Sequence, residues 1–217
     1  MGRVTLVSIN FDFLRQQKLA RTKHRPENVG AVVTMVLLYK NLHDHYGFGR
    51  TRFQYIMDQF ERWVNEKWNI TQKQVDDVVG KRGLDETLYR DYMQRCSKLV
   101  SKNVDDTYFR IMGREPVRNA KERQGYNEAA EIAYKTVLLI LTKYLGFGKK
   151  RLNDLQRYIK DDMWCILEGR VKLIEFMWML HTSCAQEFGA LDDWLEKYGK
   201  VYRDDGLPLW PNKIMYE

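Results

Sequence analysis

The sequence predicts an all-α protein made of two related helical halves packed as one body. Three observations carry that expectation. A phrase occurs twice: residues 36–60 read VLLYKNLHDHYGFGRTRFQYIMDQF and residues 137–159 read VLLILTKYLGFGKKRLNDLQRYI. Superposing the Gly-Phe-Gly turns gives a constant offset of 99, with Gly47 on Gly146, Phe48 on Phe147, Gly49 on Gly148 and Arg52 on Arg151. Apolar residues then recur at helical spacing after the turn, as in Phe53, Ile56, Met57, Phe60 and Val64. Finally, no segment alternates strongly enough to read as a strand, residues 5–10 coming nearest. The repeat divides the chain into an N-terminal half, residues 1–112, and a C-terminal half, residues 113–217. Two copies are too few for a solenoid, which needs three or more units to share a core.

The elements follow in order. Residues 10–22 fit a helix with Phe11, Leu14 and Leu19 on one side, and a basic arm overlaps it with Arg15, Lys18, Arg21, Lys23 and Arg25. Pro26 suits a first helical turn, where its missing N–H is not needed. The helix it opens, residues 27–46, is apolar on nearly every side from Val29 to Tyr39, so it must be buried as the centre of its half. Gly47 ends it by accepting the left-handed conformation. An amphipathic helix is expected over 49–66, a short one after the Thr71/Gln74 capping box, and another over 86–101 capped by Asp85. Residues 102–126, punctuated by Gly113, Pro116 and Gly125, read as the connection between halves. Asn127 then caps a second central helix, 128–145, followed by an amphipathic helix over 149–167, a further helix over 171–188 and a short one over 191–198. Trp210, between two prolines in the tail, reads as a plug packed on the body.

Composition sets the limits on function. In 217 residues, 44% hydrophobic and 13% aromatic content suffices for a core, and 30% charged residues with four prolines is a globular profile. The net charge of +7 favours anionic partners such as nucleic acid. Three cysteines without short spacing, Cys96, Cys165 and Cys184, argue against a disulfide framework or a cysteine zinc site and fit a reducing cytosol. The first residues, MGRVTLVSIN, lack the charged and apolar regions of a signal peptide, and Leu6 breaks the myristoylation pattern. Val29–Tyr39 is too short to cross a bilayer, so no membrane partner is expected.

Four constellations are candidates for chemistry. Helix, glycine turn and cation-headed second helix follow the outline of a helix-turn-helix, whose second helix meets DNA with its first residues. Those residues are Arg50, Thr51 and Arg52 in one copy and Lys149, Lys150 and Arg151 in the other. Helix N-termini ordinarily favour acids, so three successive cations run against local preference and point to an anion. The opposing structural reading buries Phe48 and Phe147 as staples and pairs Arg52 and Arg151 with neighbouring carboxylates. His43-Asp44-His45 suggests a metal, but adjacent helical residues diverge by about 100°, and a polar helix end is the simpler reading. Adjacent acids such as Asp76-Asp77 and Asp161-Asp162 read as solvated surface, and no nucleophile elbow, P-loop or dinucleotide fingerprint occurs. The six tryptophans and thirteen tyrosines fall mostly at core spacing. No cofactor, metal or catalytic residue is assigned, and the chain reads as a non-enzyme.

At the turn, Leu42, His43, Asp44, Tyr46, Gly47, Phe48, Gly49 and Arg52 give the chain a resemblance to small phage and prophage proteins of Gram-positive bacteria sharing the phrase LHDxFGFGxxR. The second copy keeps Leu141, Gly146, Phe147, Gly148 and Arg151. The resemblance covers roughly 30 residues per copy. It implies a viral or mobile-element accessory protein of the bacterial cytoplasm, and no activity. The expected function is therefore nucleic-acid binding through Arg50, Arg52, Lys149, Lys150, Arg151 and the basic arm. The alternative is an anti-CRISPR-like anti-defence factor that inhibits a host nuclease by binding it, with a structural virion component third.

Overall fold

The computed structural model describes residues 26–65, 80, 85–101, 120–187 and 191, and the described residues are helical with no strand among them. The helices are α1 (Pro26–Tyr46), α2 (Arg50–Asn65), α3 (Glu86–Ser101), α4 (Ala120–Tyr144), α5 (Lys149–Leu167) and α6 (Leu173–Cys184). The arm residues Arg15, Lys18, Arg21, Lys23 and Arg25, the helix after Thr71, the helix over 191–198 and the Trp210 tail lie outside the described residues.

The architecture rests on α1 against α4. Both carry apolar residues round most of their circumference, and Val36, Leu37, Leu38 and Leu42 in one and Val137, Leu138, Ile140 and Leu141 in the other are fully buried. A helix with no polar face is stable only when surrounded. Each central helix supplies much of the other's cover. Gly30 lets them touch: a Cβ there would lie 2.1 Å from the Tyr126 carbonyl oxygen and 3.2 Å from the Ala130 nitrogen. Ala31, Ala129 and Ala133 continue the small-residue seam. Contact near the starts of both helices, together with contact between Phe48 and Phe147 just past their ends, means that α1 and α4 run in the same direction.

The amphipathic helices then cross over. α5 packs on α1 and α2 packs on α4. Ring contacts mark both crossings: His45 stacks on Tyr158 at 3.6 Å, and Tyr55 meets Tyr144 edge-on at 6.4 Å. Of the stripe expected on α2, Phe53, Ile56 and Phe60 are buried and Met57 is partly buried, while the Val64 side chain lies outside the described residues; Leu152, Leu155, Ile159, Met163 and Ile166 form the counterpart on α5. α3 packs on α4 and α5, and α6 on α1. Among the described residues, a continuous hydrophobic core runs through the six helices.

Three expectations need correction. The second central helix is formed by Ala120 and not first at Glu128, so Asn127 is inside it and not its cap. The stretch Ala120–Gln124 is rich in strong helix formers, and Tyr126, 1% exposed, anchors the early turns on α1. The next helix after α5 spans Leu173–Cys184 and not 171–188, because Ala185 takes a left-handed φ of 51° and stops it. Asp162 is not solvated surface. Its carboxylate accepts hydrogen bonds from Lys40 Nζ at 2.7 Å and Asn41 Nδ2 at 2.6 Å, and so ties α5 to α1, while its neighbour Asp161 is exposed. Adjacency in sequence put the two acids on different faces, one turned inward.

Candidate anion-binding cleft

The two Gly-Phe-Gly turns have one geometry and lie against each other. Gly47 and Gly146 take positive φ of 63° and 67°, where a side chain would be strained. In each turn the phenylalanine N–H reaches back to a leucine carbonyl, Phe48 to Leu42 at 3.1 Å and Phe147 to Leu141 at 3.0 Å. This bond folds the chain back over the helix end and turns the phenylalanine ring inward. Phe48 and Phe147 are 4% and 3% exposed and meet edge-to-face at 5.9 Å. Tyr46 spans the junction, its ring 4.9 Å from Phe147 and its hydroxyl donating to the Arg151 carbonyl oxygen at 2.9 Å. Burial, followed by Asp154 and Tyr158, pushes the Tyr46 hydroxyl up to about 12, so it remains a donor at neutral pH.

Between the turns is an open cleft of about 410 Å³ lined by Tyr46, Phe48, Arg52, Leu145, Phe147 and Arg151. At the offset of 99 these are three matched pairs: Tyr46 with Leu145, Phe48 with Phe147, and Arg52 with Arg151. The Arg52 guanidinium lies over the Phe48 ring at 4.9 Å and the Arg151 guanidinium over Phe147 at 5.7 Å. Arg52 also reaches the Tyr46 carbonyl oxygen at 3.4 Å.

The sequence-predicted cations are thus located. Arg50, Arg52, Lys149, Lys150 and Arg151 are all exposed at the starts of α2 and α5. No carboxylate among the described residues pairs with any of them. Neither helix has an acid in its first turn, and Gly148 offers α5 no side-chain cap. The N–H groups of Arg50 and Thr51, and of Lys149, Lys150 and Arg151, make no backbone bond. Unbonded N–H groups, the positive end of the helix dipole and side-chain cations therefore coincide. Arg52 and Arg151 are brought together in one cleft. Phe48 and Phe147 were readable as buried staples, but none of Tyr46, Phe48, Leu145 and Phe147 was readable as a cleft wall. The repeat showed two buried helices in need of cover, but not that they run in the same direction, which is what brings their turns to one end.

The polar end of α1 has other duties. Asp44 pairs with Lys40 at 3.3 Å and His45 is taken up by Tyr158. His43 Nδ1 donates to the Phe48 carbonyl oxygen at 2.8 Å, and His181 Nδ1 does the same to Gln186 at 3.0 Å, so each ring latches the chain that leaves its helix. Cys184 Sγ lies 3.2 Å from the same His43 nitrogen. That nitrogen carries its proton to serve Phe48, so it cannot take one from the thiol. Burial, and secondarily Asp44, pushes the Cys184 thiol up, away from the reactive thiolate. Among the described residues no three potential metal-ligating side chains come together, and no helix is long and apolar enough to cross a membrane.

Comparison with protein-family models, with curated proteins and with solved structures finds no match to this chain. The cleft is therefore interpreted from its own chemistry.

Proposed function

We propose that this chain is a non-enzymatic accessory protein of the phage type that binds nucleic acid at the paired turns. One observation carries the reading: Arg52 and Arg151 open onto the same cleft, with no carboxylate partner among the described residues. Exposed guanidinium groups without carboxylate partners are suited to phosphate, which they meet with two parallel N–H donors. Arg50, Lys149 and Lys150 at the same helix starts add to the attraction without reading bases. The basic arm, Arg15, Lys18, Arg21, Lys23 and Arg25, would extend the grip along the backbone.

Affinity for a mixed-sequence oligonucleotide then falls linearly on a log–log plot against salt, as counterions are released. Replacing Lys149, Lys150 and Arg151 together by Ala lowers the slope by about two to three, close to one per lost phosphate contact. Fluorescence anisotropy between 50 mM and 300 mM salt measures it. A slope unchanged by the triple substitution removes these residues from the interface.

A second reading has its own support. Trp164 is 49% exposed, with the Arg95 guanidinium 5.4 Å from its ring centroid, and Trp and Arg dominate protein–protein hot spots. On that reading the chain inhibits a host defence nuclease by binding it. Recovery of one host protein from nuclease-treated lysate, lost in Trp164→Ala, would favour it.

A further inference from the structure

We infer that the two turns form a single site per chain for one unpaired strand of nucleic acid, with a base entering the cleft and phosphate held by Arg52 and Arg151. This rests on the nucleic-acid reading above and adds the form of ligand and the number of sites.

Shape comes first. The site is a concavity of about 410 Å³, at the small end of pockets that hold small molecules, about 300–1,000 Å³. Duplex DNA is read by protein elements that protrude into its grooves. An unstacked base enters a concavity; a duplex does not.

The lining agrees with the shape. Tyr46, Phe48, Leu145 and Phe147 make an apolar and aromatic wall, and among the described residues the two guanidinium groups are the only charged groups on it. Phosphate alone has no use for the aromatic wall, and an apolar ligand has no use for the cations. A nucleotide uses both, because every base has a π face and every linkage a charge. Each guanidinium carbon lies over a phenylalanine ring, and both arginines are exposed, so their planar guanidinium groups are available to stack on a base, as arginine does with unpaired bases. Lysine has the charge but no such plane.

The number of sites follows from the packing. Phe48 and Phe147 are in contact and Tyr46 is bonded to the Arg151 carbonyl, so the turns are one rigid junction. Both guanidinium groups belong to one cleft and converge on one ligand.

The test uses the full chain and a labelled 12-nucleotide single-stranded oligothymidine, with a 12-base-pair duplex in parallel. Titration calorimetry gives stoichiometry and anisotropy gives affinity. The expected result is one strand per chain, with the single strand bound at least tenfold more tightly than the duplex at equal salt. Arg52→Ala and Arg151→Ala each weaken binding about tenfold without changing the stoichiometry. Arg52→Lys and Arg151→Lys recover little, whereas a purely electrostatic role would be restored by lysine. Both arginines are exposed, and unchanged melting curves establish that the variants fold. Two strands per chain, with either alanine variant leaving one intact site, overturns the shared site. Equal or tighter duplex binding, or full recovery by lysine, overturns the unpaired strand. Binding of neither nucleic acid instead removes the functional reading itself.

Discussion

Glycine at position 47 and at position 146 is dictated by backbone, not by crowding. A Cβ at either would meet nothing within 4 Å, yet φ is 63° and 67°. Replacement by alanine therefore costs only the left-handed penalty, about 1–2 kcal/mol. Ala185 holds the same conformation without being glycine, with φ of 51°, and the reverse substitution relieves it. Urea denaturation of Gly47→Ala, Gly146→Ala and Ala185→Gly should show the first two destabilised and the third stabilised by up to about 1 kcal/mol, after the entropy glycine adds to the unfolded chain is subtracted. A shared sign across the three would mean that these positions are governed by something other than φ. At the same scale, histidine acts as a latch. His43 and His181 each donate Nδ1–H to a carbonyl five residues on, which accounts for His43 without a metal. Sequence alone suggested a polar helix end there, and the specific bond depended on a turn geometry that no residue spacing announces.

At the scale of elements the pairing of α1 with α4 organises everything else, and Gly30 is a point where the two backbones meet closely. The obstacle to a Cβ there is the Tyr126 backbone carbonyl, which cannot rotate away as a side chain would. Gly30→Ala should destabilise the fold by roughly 1–3 kcal/mol, the usual cost of overpacking, and move α1 away from α4. Thermal melting detects the first effect, and weakened oligonucleotide binding the second, since the turns sit at the far end of the same helix pair. A fully stable Gly30→Ala variant would mean that the helices do not approach as described. Helix existence was legible from pattern: the apolar run of α1, the stripe of α2 and the Asp85 cap were each readable, and Asp85 Oδ1 does accept from Thr87 and Leu88 N–H at 2.9 and 3.2 Å. The start of α4 was not, because Gly125 reads locally as a breaker while tertiary burial of Tyr126 overrides it. Asp162 escaped for a related reason: its partners Lys40 and Asn41 are more than a hundred residues away.

For the whole molecule, the offset of 99 has a physical meaning that neither copy has alone. Two helices that cannot be solvated bury each other, run the same way, and carry their turns to one end. Two basic corners thereby become one cleft with two cations. The cations were visible in the sequence as Arg52 and Lys149–Arg151; their convergence was not, because it depends on the direction and register of α1 against α4. On the proposed function, this cleft, formed by both turns together, is where an anionic strand binds. The most direct measurement is a titration of the isotopically labelled chain with single-stranded oligothymidine, followed by amide chemical shifts. The amides of residues 47–52 and 146–151 are expected to shift together along one binding curve with a common Kd. Shifts confined to one turn, two separate curves, or perturbation elsewhere with both turns silent would contradict it.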